Sequence, residues 1–326
     1  MKAPKMRIEN NERSIELFFA DTDSTVNEKT SVLALGTFDG VHIAHQKLLS
    51  EAKTLKEKIG ASLVGAWCFE ESPAAILKGE EQILITQKED KISLLLGSGL
   101  DFVAMGHFPD FKDLSAEDFI SEILQKELGC IATVTGYDHR FGHKGLGTPV
   151  MLESFFGKEN TATVPEIKLD GETVGSSAIR RHLLAGEIEK ANSMLGREFA
   201  VKSEITEGKK LGRKLGFPTA NQPFPDNTSP LRRGVYATLC SFGDGKEYMG
   251  VTNVGTRPSI KEGDDHALNC ETYIIDFSGD IYGKEMTLKF CAFLREETRF
   301  SSLDELTEAI KKNAEQVLEL FSEKEN

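Results

Sequence analysis

With 326 residues, 39% hydrophobic and 28% charged, the chain has the composition of a soluble globular protein and is long enough that two domains are expected. No apolar run approaches the roughly 20 residues a membrane helix needs, which argues against a membrane protein or transporter. The net charge of −13 repels a polyphosphate backbone, and no Lys/Arg stripe with interleaved aromatics offsets it, so nucleic acid is not expected as a partner.

The first residues are basic but run into Glu9 and Asn10 without the apolar stretch of a signal peptide, so export is not expected. Segment 1–30 has no readable role, and the sequence does not report oligomeric state. From residue 31 onward short apolar runs alternate with helical patterns. Strands are expected at 31–35, 62–69, 100–105, 131–135 and 161–167, with helices at 46–59, 87–96, 116–128 and 148–156 between them. That order predicts a doubly wound α/β domain with a parallel sheet, extending over 1–186 through a helix at 176–184.

A connecting helix at 187–195 opens the second domain, 187–326. Strands at 199–206, 234–242, 247–253, 270–277 and 285–293, with turn signals such as Asp244-Gly245, predict a small antiparallel β-barrel. A last helix at 302–321 carries a packing stripe of Leu303, Leu306, Ile310, Val317, Leu318 and Phe321. The five cysteines are odd in number and widely spaced, which suits reduced core thiols and a cytoplasmic location.

Two segments carry chemistry. In Gly36-Thr37-Phe38-Asp39-Gly40-Val41-His42-Ile43-Ala44-His45 a strand leads through a Gly-rich turn into a helix. His42 and His45, three apart at that helix start, can both hydrogen-bond phosphate oxygens, and the unpaired N–H groups of the helix end add partial positive charge. Asp39 reads two ways, as a substrate ligand or as a side chain that fixes the turn. The run resembles the HxGH motif of the nucleotidyltransferases, and in full the GxFDGVHxGH signature of prokaryotic FAD synthetases. Gly136-Tyr137-Asp138-His139-Arg140-Phe141-Gly142 and Ser176-Ser177-Ala178-Ile179-Arg180 resemble two further runs of that family.

The resemblance implies a Rossmann-like domain that adenylylates FMN. It implies ATP-phosphate contacts from Gly36, Phe38, Asp39, Gly136, Ser176 and Ser177, a flavin contact from Asp138, and stabilisation of the leaving group by His42, His45 and Arg180. Three positions depart from the pattern: Ala44 between the histidines, Gly175 before the serines, and Gly145 where a basic residue is usual. Ala44 adds a methyl group while favouring the helix by about 1 kcal/mol.

The second segment runs from Gly208 to Asn221 and is too glycine-rich for a plain strand, so a loop with amides facing an anion is expected. It lacks the GxxxxGK[ST] pattern. In an extended segment Thr219 and Asn221 would project oxygen atoms to one face, suited to a hard cation such as Mg²⁺; a hydrogen-bonded turn after Pro218 is the alternative. Gly212 to Asn221 matches the GRxLGFPTAN hallmark of riboflavin kinases without a break, and family-like pieces follow at 234–237, 250–258, 270–277, 282–283 and 293–297.

This second resemblance implies that Gly212, Arg213, Thr219 and Asn221 bind ATP, with the last two also holding Mg²⁺. It makes Glu271 the base that deprotonates riboflavin and Arg295 a flavin contact, an exposed ion pair being the alternative for Arg295. Together the two resemblances identify the chain as a member of the bifunctional FAD-synthesising enzymes, with riboflavin, FMN, FAD and ATP as small-molecule partners. The alternative keeps the kinase and makes the first domain a weak adenylyltransferase or a nucleotide-binding regulatory module.

Overall fold

The computed structural model describes residues 3–10, 13–21, 25–26, 28–207, 217–256 and 268–324. The chain packs as two compact units, Met1–Ser176 and Ser177–Asn326.

In the first unit seven strands form one sheet: β1 (Lys5–Asn10), β2 (Arg13–Phe19), β3 (Ser31–Leu35), β4 (Leu63–Phe69), β5 (Phe102–Gly106), β6 (Cys130–Gly136) and β7 (Thr161–Val164). Their spatial order is β1-β2-β5-β4-β3-β6-β7. The last five strands in the sequence are parallel, as the alternation of strands and helices predicts. β3 is buried along its whole length, which explains its uninterrupted apolar sequence: helices cover both faces of a parallel sheet. Leu33 and Leu35 enter the core layer built around Trp67, Phe102, Phe111 and Phe119. Val32 and Ala34 enter the opposite layer with Leu49, Val64, Val103 and Val134.

Between the strands run α1 (Ile43–Ile59), α2 (Pro73–Lys78), α3 (Lys88–Gly97), α4 (Phe108–Phe111), α5 (Ala116–Asp118) and α6 (Pro149–Phe156). α1 buries Leu48, Leu49, Ala52 and Leu55 at helical spacing and stops at Gly60, whose φ of 69° suits a residue without Cβ. The helix expected at 116–128 differs in detail. After α5 it continues as a π-helix over Phe119–Glu127, closing with Leu128 N–H donating to Ile123 O at 3.2 Å.

The antiparallel β1–β2 hairpin, in a segment the sequence left unassigned, extends the sheet edge by pairing β2 with β5. A small ribbon, β8 (Lys168–Leu169) with β9 (Glu172–Thr173), turns at Asp170 and Gly171, both at positive φ. All five cysteines are buried and free of disulfides.

The second unit contains nearly all of α7 (Ser176–Ala185), followed by α8 (Ile188–Leu195) and a curled antiparallel sheet. Its strands are β10 (Phe199–Glu204), β11 (Thr219–Pro223), β12 (Gly234–Ser241), β13 (Tyr248–Thr256), β14 (Leu268–Ile274) and β15 (Glu285–Arg295), in the order β10-β15-β12-β13-β14-β11. The two edge strands approach each other. Thr206 N–H donates to Asn221 O at 2.8 Å, and Gln222 Nε2 donates to Ser203 O at 3.1 Å, so the sheet curls toward a barrel.

One face packs Val235, Ala237 and Val251 against Val317 of the C-terminal helix Leu303–Lys324. The opposite face buries a row of hydroxyls, Thr238 to Thr252 at 2.8 Å and Thr252 to Thr272 at 2.9 Å, each satisfying the next. Among the described residues no helix is long and apolar enough to cross a membrane.

Candidate functional site

From β3 the chain steps outward to β4 and β5, then returns to β6 on the other side of β3. The gap between the carboxyl ends of β3 and β6 is therefore the point where strand order reverses, the usual ligand crevice of an open parallel sheet. The histidine turn leaves β3 at that end, and Gly136 and Asp138 lie at the same end of β6.

The turn is strained and over-determined. Phe38 and Val41 have φ of 51° and 40°, conformations that bulky residues rarely adopt. They are held because both side chains are buried. Gly36 N–H donates to Trp67 O at 3.2 Å, and a Cβ on Gly36 would stand only 3.2 Å from the Phe38 ring, so glycine leaves space for that ring.

His42 caps α1, its Nδ1 accepting the His45 N–H at 3.3 Å. An accepting Nδ1 places the proton of the neutral ring on Nε2. The imidazoles of His42 and His45 stack, with centroids 3.6 Å apart and 15° between planes, and Phe38 packs against His45 at 5.1 Å. His45 Nδ1 is buried and has no hydrogen-bond partner among the described residues. Desolvation, then the charges of His42 and Lys91, hold the His45 imidazole well below the ordinary histidine range.

Asp39 is buried, and its Oδ1 accepts Ile85 N–H at 2.9 Å and Thr86 N–H at 3.2 Å. Ser176 Oγ donates to the Asp39 carbonyl at 2.9 Å. Asp39 thus ties the turn to the segment preceding α3. Asp39→Ala strands two buried amides and is expected to lower stability by about 2–4 kcal/mol, read as the shift in a urea unfolding curve.

At the end of β6 a Cβ on Gly136 would meet Asp138 Oδ1 at 3.3 Å, and the Asp138 side chain is exposed. Burial pushes His139 down to about 4. Gly142 cannot be replaced without a shift, since a Cβ there would stand 2.7 Å from the backbone N of Ala116. On α7, Ser177 is exposed and Arg180 half-buried, the latter one turn beyond Ser176.

The structure accommodates all three departures from the motif. Ala44 lies in the first turn of α1, where a helical backbone accepts it. Gly145 has φ of 66°, and a Cβ on Gly175 would meet nothing within 4 Å.

In the second unit, Gly212 and Arg213 lie outside the described residues. Thr219 and Asn221 do not form a turn; they belong to strand β11, so both side chains project to the same face. Asn221 sits directly opposite Glu271 on β14, and Glu271 sits directly opposite Asn253 on β13. The row continues through Val235 on β12 to Arg295 on β15. Directly opposed residues share a face with Cβ atoms about 4.5–5.5 Å apart, so this row gathers an amide, a carboxylate, a second amide and a guanidinium.

Asn221 is buried, Thr219 half-buried and Glu271 exposed. Asn253 Nδ2 donates to Glu297 Oε1 at 3.5 Å. Arg295 makes no ion pair among the described residues: its Nε donates to Asn313 Oδ1 at 3.1 Å, and its guanidinium stands 5.6 Å from the Phe300 ring centre. Sequence alone does not single out Asn253, because a strand expected to end at that residue gives no register with Glu271.

The family model for riboflavin kinase matches residues 195–321, and that for FAD synthetase matches residues 24–178. The bifunctional riboflavin kinase/FMN adenylyltransferase of Bacillus subtilis (strain 168) is 33% identical, covering 90% of this chain and 93% of its own. Its counterpart from Escherichia coli (strain K12) is 32% identical, covering 91% and 95% respectively. Among solved structures, a macrolide-efflux protein from Streptococcus pneumoniae superposes with a TM-score of 0.80 at 26% identity, over 91% of this chain and 96% of its own. With both family models matched and relatives covered over nearly their whole length, the chain belongs to the bifunctional riboflavin kinase/FMN adenylyltransferase family.

Proposed function

We infer that this chain phosphorylates riboflavin to FMN with ATP and then transfers the adenylyl group of a second ATP to FMN, giving FAD and pyrophosphate. The kinase site is the row through Asn221 and Glu271 on the curled sheet; the adenylyl-transfer site is the histidine turn at the switch point of the parallel sheet. The observation that carries the assignment is the register that sets Glu271 directly opposite Asn221.

In the kinase step the riboflavin 5′-hydroxyl attacks the γ-phosphorus as the bond to ADP breaks. Glu271 accepts the hydroxyl proton, a contribution of roughly 10²–10⁴-fold for a positioned carboxylate. Thr219 Oγ1 and Asn221 Oδ1 are hard oxygen donors on one face and fit Mg²⁺. Among the described residues no three His, Cys, Asp or Glu side chains converge on a metal site, so substrate phosphates would complete the coordination. Bound there, Mg²⁺ would neutralise charge on the β- and γ-phosphates. Arg295 holds the flavin side, and Gly212 and Arg213 complete the ATP contacts.

In the adenylyl step an FMN phosphate oxygen attacks the α-phosphorus and the bond to pyrophosphate breaks, with no covalent enzyme intermediate. His42, His45 and Arg180 stabilise the charge that grows on the leaving group. Gly36, Phe38, Asp39, Gly136, Ser176 and Ser177 shape the triphosphate contacts, Asp39 by holding the turn, and Asp138 contacts the flavin substrate. We assign this module to residues 1–186, since α7 carries both the serine pair and Arg180. Small molecules are the partners, the acidic charge disfavours nucleic acid, and a cytoplasmic location fits the free thiols.

Incubating the protein with MgATP and either riboflavin or FMN, followed by chromatography, tests both halves. FMN and FAD are expected from riboflavin, and FAD from FMN. Riboflavin left unphosphorylated, or FMN left unchanged, contradicts the corresponding half.

A further inference from the structure

Lys91 is a cation placed where a cation is expensive. It is 2% exposed, and its Nζ donates a hydrogen bond to Phe69 O at 3.0 Å. A buried ammonium facing a single carbonyl is disfavoured, and a methionine could fill the same volume without that penalty. Its position gives the reason. Phe69 ends β4, the strand that pairs with β3 immediately before the histidine turn. Lys91 lies one turn into α3, just past Ile85 and Thr86, the residues that Asp39 holds.

We propose that Lys91 is a positioning residue for adenylyl transfer, its buried ammonium clamping α3 to the end of β4 and setting a fixed positive charge behind the histidine pair. This rests on the histidine turn being the adenylyl-transfer site. The surrounding titratable groups are His45 from α1, on which His42 stacks, Cys68 from β4, and Lys88 on the same helix. Lys88 is itself neutralised by Glu16 and Glu70, both at 2.9 Å. The charge of Lys91 acts on the His45 imidazole. His45 Nδ1, buried and unbonded, stays deprotonated, and His42 Nδ1 is occupied by the His45 amide. Each ring then offers a neutral Nε2–H to phosphate. The histidines act as hydrogen-bond donors to the leaving pyrophosphate and keep their protons.

The test uses the full chain and four variants, Lys91→Met, Lys91→Gln, Lys91→Arg and His42→Ala. FAD formation from FMN and MgATP is measured as kcat and KM, and ring nitrogens are titrated by histidine ¹⁵N NMR. Lys91→Met is expected to lower kcat/KM by about tenfold or more. It should also move the His45 midpoint upward, because a like charge has been removed. Lys91→Arg should retain both wild-type properties. A wild-type kcat/KM in Lys91→Met together with an unmoved His45 midpoint overturns the proposal.

Should Lys91→Met fail to fold, equal FAD formation by Lys91→Arg and Lys91→Gln overturns it, and at least tenfold faster formation by Lys91→Arg supports it. Wild-type spectra decide independently of any variant: a neutral His45 protonated on Nε2 at pH 6 is required, and a charged ring overturns the proposal. His42→Ala separates the two levels. If it still forms FAD, the assignment of the site fails; if it does not while Lys91→Met behaves as wild type, the inference about Lys91 fails alone.

Discussion

Glu271→Gln is expected to lower riboflavin phosphorylation by about 10²–10⁴-fold while FMN adenylylation continues at the wild-type rate. Gln keeps the shape and hydrogen-bonding reach of the side chain but cannot take the hydroxyl proton. Glu271 is exposed, so the replacement should change stability by no more than about 0.5 kcal/mol, and a loss of activity cannot be traced to unfolding. Its effect is expected in kcat more than in the KM for riboflavin, because the proton moves only as the bond forms. A variant with wild-type kcat would remove Glu271 from the mechanism.

His42→Ala is expected to reduce FAD formation from FMN by about 10²–10³-fold, the usual loss when a donor to developing charge is removed. The same substitution deletes the cap of α1, which alone costs about 1 kcal/mol. His42→Asn separates the two effects. Asparagine caps a helix well yet places no Nε2–H at the imidazole position, so it should fold like wild type and remain slow. Normal FAD formation by His42→Asn would leave only the cap as the role of His42.

Much of the first unit was legible because parallel strands buried on both faces leave unbroken apolar runs, as at Val32, Leu33, Ala34 and Leu35. The hairpin β1–β2 was not, although Ile15, Leu17 and Phe19 alternate as a half-buried strand should. The charged residues around them masked that pattern. The switch from α- to π-helix after Asp118 has no sequence signal comparable to proline or glycine.

At the sites, the order of strand, turn and histidines could be read directly, but the partners of Asp39 could not. They lie 46 and 47 residues away, and only the fold brings them together. Strand β11 was hidden by the glycines before it, and its pairing with β14 follows from curling of the sheet. Lys91 reads as one more solvated charge on a helix; its burial becomes visible only when α3 packs on the sheet.

The most direct test of two separate active sites is a crossed product assay. Glu271→Gln and His42→Asn are each given MgATP with riboflavin or with FMN, and the flavins are separated by chromatography. Glu271→Gln should turn FMN into FAD but leave riboflavin largely unphosphorylated, whereas His42→Asn should accumulate FMN from riboflavin and form little FAD. Loss of both reactions in either folded variant, or retention of both in each, would contradict the division of labour between the curled sheet and the histidine turn.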